Sequence, residues 1–194
     1  MPFFGQFGPR TCLPRTAPAR NAESLPAIHA LHLAELVERW NVSAKQLLAG
    51  SGLDRAELQL PGRRVSVATM ERLVERARAL TREPALGIYF GLQMRISWHG
   101  YLGLAAMTSR NVRQALELAT RFLPTLTGAI ALGLEIDGAT ASLTIEERAD
   151  FGAARDAIIL ALVVGIWQLG STLTGRRLGG RVDVALPEPA YFAR

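Results

Sequence analysis

The pattern of the chain changes character once, near Gly128, and that change does most to restrict the folds open to it. Up to that point apolar residues recur at helical spacing. Beyond it Ile130, Leu132, Leu134 and Ile136 alternate with Ala131, Gly133 and Glu135, the period of a strand. Asp137-Gly138 follows, a strong signal for a two-residue hairpin loop when it lies between two alternating runs. Such a loop sets Ile136 opposite Ala139, Leu134 opposite Ala141, Leu132 opposite Leu143 and Ile130 opposite Ile145, all apolar and all on one face. Glu135, Thr140, Ser142, Thr144 and Glu146 take the other face, so the hairpin is expected to lay one side on a core and show the other to water or a polar cavity. Helices over the first 125 or so residues followed by this hairpin make an α+β protein.

The helices can be placed from their caps and apolar faces. Ile28, Leu31, Leu36, Val37 and Trp40 outline a first helix, broken at Asn41. Ser43 caps a short second one carrying Leu47 and Leu48 and stopped by Gly50 and Gly52, and Asp54 opens another turn through Leu58. Pro61-Gly62 turns the chain into a helix capped at or near Ser66, with Val67, Met70, Leu73, Val74, Ala77 and Leu80 on one side. Pro84 suits the first turn of the next helix, which carries Leu86, Tyr89 and Phe90. The stretch from His99 to Phe122 is central. The glycine-bearing His99-Gly100-Tyr101-Leu102-Gly103 leads to a helix from Val112, capped by Thr108 or Ser109, with Ala115, Leu116, Ala119, Phe122, Leu123 and Leu126 on its apolar face. Pro124 kinks or ends it.

After the hairpin, Ala157 to Leu169 is apolar nearly all round, shorter than the roughly 20 residues a bilayer span needs, which predicts a buried helix near 153–174 and no membrane association. Val182, Val184 and Leu186 alternate as a final strand, expected to join the hairpin in a small antiparallel or mixed sheet packed on helices.

Residues 1–26 hold five of the ten prolines and no apolar period, and read as a disordered or poorly ordered tail ahead of one domain over 27–194. No apolar core with a small-residue cleavage site marks a secretory signal there, which leaves the cytoplasm as the expected compartment. Cys12 is the only cysteine, so neither a disulfide framework nor a cysteine metal site is expected. The net charge of +5 comes from arginines interleaved with acids, as in Glu71-Arg72 and Glu75-Arg76, a mixed solvated face and not a nucleic-acid stripe. Leu36 to Leu58 imitates a helix-turn-helix, but its second helix is about two turns long and offers few side chains that read base edges. Small helices packing on a core are the preferred reading.

Motifs for chemistry are missing. There is no phosphate-binding glycine loop, no Gly-x-Ser-x-Gly elbow and no His-Glu-x-x-His, so no catalytic residue, metal ligand or cofactor is assigned. His29 and His32 read as surface or helix-end histidines, and Glu146-Glu147 as a solvated strand end. His99, between Trp98 and Gly100-Tyr101, either binds a ligand or is satisfied by backbone. Trp98, Tyr101, Phe122 and Trp167 either line a pocket or fill a core. If the hairpin's apolar face, the 153–174 helix and the central helix enclose a cavity, its ligand-binding residues are Trp98, His99, Tyr101, Arg121, Phe122 and Trp167. The rings would take an apolar body, and His99 with Arg121 one polar or acidic group, which suits an amino-acid-like or carboxylate metabolite.

Gly52-Leu53-Asp54, Arg64-Val65, Leu73, Pro84 with Leu86-Gly87, His99-Gly100-x-Leu102-Gly103, Ser109, Ala115-Leu116 and Arg121-Phe122 together resemble a family. It is the amino-terminal, arabinose-binding-domain-like regulatory domain of AraC-type transcriptional regulators, in the group that includes ornithine utilisation regulators. The resemblance covers about residues 27–192, and Phe122 stands where a tyrosine is frequent. It implies an effector-sensing domain, with a homodimer as a further option, that controls a separate helix-turn-helix domain not present in this chain. DNA would be bound only through that domain, and the partner here would be a small-molecule effector. The family usually continues beyond Val182 to Phe192 into further strands, so 27–194 is expected to be truncated at its carboxy-terminal end. The alternatives are a DNA-binding regulator acting through 36–58, or an enzyme or haem-type sensor using His99.

Overall fold

The structure, a computed structural model, describes residues 24–138 and 140–193. Most of the expected tail, residues 1–23, therefore lies outside the described residues. Ser24–Pro26, however, forms a strand, β1, paired antiparallel with β2 at Arg64–Ser66, so the boundary expected at residue 27 falls inside the folded unit. Arg64 locks this pairing: its guanidinium donates to Ser24 Oγ (2.8 Å) and Ser24 O (2.9 Å), and also to Leu126 O (2.8 Å). A local pattern cannot reveal a three-residue strand, which exists only through its partner 40 residues away.

Between the two strands lie α1 (Ile28–Val37), α2 (Ala44–Leu48) and α3 (Arg55–Leu58). Their starts are chemically defined. Ser43 and Asp54 each accept the backbone N–H three residues on, while Gln46 and Glu57 reach back to the cap residue's own N–H, two reciprocal capping boxes. Asn41, at φ 59°, ends the turn after α1. Ser66 caps α4 (Val67–Thr81), and α5 (Leu86–Leu92) begins two residues after Pro84, which thus precedes the helix and is not in its first turn. A 3-10 turn at Ile96–His99 leads into α6 (Gly100–Met107) and then α7 (Val112–Leu126), with Pro124 in the last turn of α7. The cap of α7 is Asn111, whose Oδ1 accepts from Gln114 N at 2.9 Å. The expected caps Thr108 and Ser109 instead donate back to the carbonyls of Leu104 and Ala105, because α6 already ends there and leaves its own carbonyls unpaired.

β3 (Ile130–Asp137) and β4 (Thr140–Glu147) form the hairpin, with a register two residues away from the expected one: Ile136 faces Ala141, Leu134 faces Leu143 and Leu132 faces Ile145. Asp137 pairs with Thr140, so the turn sits one residue later, with Gly138 at φ +55°. A two-residue slip preserves the faces, since side chains alternate with period two. The same apolar set therefore stays together, but only Ile130 is buried while the remaining leucines and isoleucines are half-covered.

α8 (Arg155–Thr174) is one continuous helix, and with its leading turn the segment Gly152–Thr174 is long and apolar enough by composition to cross a membrane, longer than the count from Ala157 suggests. Its first half nonetheless lies in the protein core, at Ala157, Ile159, Leu160 and Ala161, and is tied by ion pairs from Arg155 to Glu147 and from Asp156 to Arg78. The expectation of a wholly buried helix fails for its second half, where Thr172 and Leu173 are exposed. No strand forms at 181–186, and Val182 is 63% exposed. Alternation states which residues would share a face, but a strand also needs an edge to pair with, and among the described residues both small sheets stay two-stranded.

Candidate functional site

A cleft of about 730 Å³ opens where the start of α1, the loop from α3 to β2, the 3-10 turn with α6, and the end of α7 meet. Its walls are mainly apolar: Pro26, Ile28, Leu58, Leu60, Leu102 and Leu126, with the rings of Trp98, Tyr101 and Phe122. The charged side chains in its lining are Arg63 and Arg64, and no carboxylate lines it among the described residues. Arg63 makes a loose exposed pair with Glu57 at 3.7 Å, and Arg64 has Nε and one terminal nitrogen committed to Ser24 and Leu126.

The segment that carries Trp98 to Tyr101 into this wall needs both of its glycines. Gly100 has φ +54° and ψ −131°, a conformation that side chains exclude, and it redirects the chain from the 3-10 turn into α6. At Gly103 an added Cβ would stand 2.0 Å from Ile96 O, so the first turn of α6 can seat itself on the 3-10 turn only without a side chain.

All three histidines of the chain gather here. The His29 and His99 rings are 6.0 Å apart, and both line the cleft. One turn along α1, His32 stacks on Trp98 at 3.6 Å with planes 10° apart, while its Nδ1 lies 2.8 Å from Glu35 Oε2. The His32 Nε2 is buried with no hydrogen-bond partner among the described residues. Burial drives His29 down to about 3, helped by the proximity of His99 and His32. His99 is lowered by desolvation, and His32 likewise, there against the opposing pull of Glu35. Three neutral imidazoles can donate and accept hydrogen bonds without charge. No set of three or more His, Cys, Asp or Glu side chains is placed to hold a metal among the described residues.

Residues 42–194 match the family described as the arabinose-binding domain of AraC transcription regulators, N-terminal. The chain belongs to this family. The ornithine utilization regulator of Pseudomonas aeruginosa is 32% identical to it over 174 residues, which is 89% of this chain and 51% of that protein. The chain thus spans about half the length of the curated relative it matches. A regulatory domain of the AraC type is not a member of an enzyme class, and its α+β architecture agrees with the fold expected from the sequence.

In this AraC-type domain Trp98, His99, Tyr101 and Phe122 are brought to one cleft. Arg121 and Trp167 are not. Arg121 is exposed, its guanidinium 5.3 Å from the Phe122 ring, and Trp167 lies on α8, where it donates to Leu178 O at 2.9 Å beneath Arg177. The hairpin contributes nothing to the lining of this cleft; the cavity expected between hairpin, α8 and the central helix is a separate, smaller one, lined by Ile130 of β3, Leu123 and Leu126 of α7, and Ala157, Ile158, Ala161 and Leu162 of α8. His29, read with His32 as a surface or helix-end histidine, lines the cleft, and His32 stands behind it, stacked on Trp98. The signal for this placement is present in their spacing: three apart on a helix whose other positions, Glu35 excepted, are apolar, with Leu31 and Leu33 buried beside them.

The acid response of the fold follows from these rings. Below the ordinary histidine value of 6.5 the unfolded chain takes up a proton that native His29 refuses until about 3. Stability is therefore full above 6.5 and declines as the pH falls from there, at up to about 1.4 kcal/mol per pH unit for this one ring. Carboxylates contribute lower down, since Asp156, where the Arg78 hydrogen bond overcomes the upward push of desolvation, titrates below 3.8. Urea midpoints between about pH 7 and pH 4.5 should fall steeply in the native chain and less so in His29→Leu. Equal slopes would show that His29 is protonated freely in the folded state.

Proposed function

We propose that this AraC-type domain senses a small-molecule effector in the cleft and passes its occupancy to a helix-turn-helix DNA-binding domain in the part of the regulator outside this chain. The observation that carries the reading is the cleft itself: an apolar body site walled by aromatic residues, with arginines and, among the described residues, no carboxylate in its lining. Trp98, Tyr101 and Phe122 would cover the effector's apolar part, with His99 and His29 supplying hydrogen bonds. We assign no ligand role to Trp167, and Arg63 replaces Arg121 as the cation within reach. The relative's name ties it to ornithine utilization. Ornithine carries two ammonium groups that would find no carboxylate among the described residues of this lining, so a less cationic carboxylate suits it better. The reading places the regulator in the cytoplasm, gives the domain no catalytic role, and includes a homodimer, for which Leu104 and Met107 offer exposed apolar side chains on α6. Sedimentation equilibrium decides the last point.

The test is a thermal-shift screen of small carboxylates on the complete regulator. A ligand that binds only the folded state raises the midpoint by mass action. A hit should lose its shift in Trp98→Ala and His99→Ala, and an undiminished shift in both variants would remove the cleft from consideration. An absorbance scan of the purified protein tests the haem reading of His99.

Direct reading of DNA by this chain is not supported. The two helices inside 36–58 are five and four residues long, and Leu47, Leu48 and Leu58 are buried in the core. A recognition element must lie along a groove with several side chains projecting, and a helix of little more than one turn cannot do so. The purified 194-residue chain is expected to leave promoter fragments unshifted in a gel assay, and a sharp, salt-resistant shift of one fragment would overturn this.

A further inference from the structure

Behind the cleft lies a second cavity of about 140 Å³, which reaches between α1, α4, α5, α7 and α8 and is closed by β1 and by Ile130 at the start of β3. Cleft and cavity have four residues in common, Pro26, His29, His99 and Leu126, so the neck between them is closed by a partition that these side chains form. Apart from His29 and His99, the one polar side chain in the inner wall among the described residues is Thr127. Its hydroxyl is already spent, donating to Ser24 O (3.0 Å) and accepting from Ala129 N (3.1 Å). The inner chamber therefore offers a guest nothing but apolar contact, and Met70 and Met94 in its wall are side chains that adapt to an incoming group. The outer chamber holds the arginines and, among the described residues, has no carboxylate in its lining.

We infer that cleft and cavity form one two-chamber site for an amphiphilic carboxylate, whose extended apolar tail passes the neck of Pro26, His29, His99 and Leu126 into the inner chamber while its carboxylate stays in the cleft near Arg63. The inference rests on the cleft being the effector site and adds the shape of the effector. A six-ångström separation of the His29 and His99 centroids leaves no room for a methylene between the rings as they stand. One ring must turn aside for the tail to enter, so the histidines act as the door between the chambers. Neutral rings suit this place, because a charged imidazolium would face an apolar wall.

Calorimetric titration of the 194-residue chain with butyrate, hexanoate and octanoate, and with octylamine as the opposite charge, tests the inference. Burial of each further methylene is expected to tighten binding about fourfold until the inner chamber is full, and octylamine should bind far more weakly than octanoate. Val74→Phe fills the inner chamber from α4 and should erase the gain from chain length while leaving butyrate unchanged. Ile158→Phe fills it from α8 and serves if the first variant does not fold. Arg63→Gln should weaken all three carboxylates alike. Equal affinity for butyrate and octanoate, or an octanoate affinity untouched in a folded chamber-filling variant, would overturn the two-chamber site. Butyrate binding that Trp98→Ala weakens would in that case leave the effector reading standing. If no carboxylate binds at all, the two-chamber inference falls, and the screen on the complete regulator decides the effector reading separately.

Discussion

Replacing Phe151 by alanine is expected to destabilise the domain by about 3–5 kcal/mol. Phe151 is 1% exposed and forms a small second core with Val67, Ala129 and Ile130, joined from the side by Leu123, Ile158 and Leu162. This cluster is where the base of the hairpin, the start of α4 and α8 converge, and β3 meets the rest of the protein chiefly there and along α7. A cavity left at such a junction cannot close, since each wall belongs to a different element held elsewhere. In thermal unfolding the loss corresponds to a drop of roughly 6–20 °C for a domain of this size. Phe122→Ala is the control. Phe122 is 40% exposed, and its truncation should cost less than about 1 kcal/mol. A loss of that small size at Phe151 would mean that the hairpin base is not packed as described.

Gly87→Ala is the second large effect, and its sign decides between two forces. Helix propensity alone favours alanine over glycine by about 1 kcal/mol inside a helix. Against this, a Cβ at Gly87 would stand 2.2 Å from Ala157 O and 2.8 Å from the Ala157 Cα, and backbone cannot turn away as a side chain can. One turn on, Gly91 has the same relation to α8, its added Cβ falling 2.7 Å from Val164 Cβ and 2.8 Å from Ala161 O. α5 thus lies on α8 along a seam to which its glycines contribute no side chain, and the alanine can enter only if the helices separate. We expect a net destabilisation of about 2–3 kcal/mol, seen as a lower urea midpoint at an unchanged slope. Gly179→Ala, where nothing lies within 4 Å of the added Cβ, should be close to neutral. A stabilised Gly87→Ala would show that the two helices are further apart than this.

Helix starts are legible in the amino-acid pattern because a cap is a local device. Ser43, Asp54 and Ser66 act on N–H groups two or three residues away, so their signals lie within a few positions of the effect. The exception, Asn111 in place of Thr108 or Ser109, arises because the pattern does not show that α6 ends there and claims both hydroxyls. The faces of the hairpin are likewise legible while its register is not: alternation is blind to a shift of two, and only cross-strand packing selects among registers of the same parity.

The candidate site divides along the same line. Trp98, His99 and Tyr101 can be singled out because they are neighbours on a segment whose glycines announce an unusual path. Their companions cannot, since His29 and Arg63 are far away in the chain and meet them only through the β1–β2 pairing and the seating of α6 on its 3-10 turn. Trp167 is as good a candidate on composition as Trp98, yet α8 carries it to Leu178. Local sequence is enough for the features whose cause lies within about one helical turn or one strand period: helix starts, faces, the existence of the hairpin and the α+β class. Three-dimensional packing is needed to settle which aromatic and cationic groups share a cavity, whether Val182 to Leu186 finds an edge to pair with, and which histidines lose their water, because each of these depends on distance in space between residues remote in sequence.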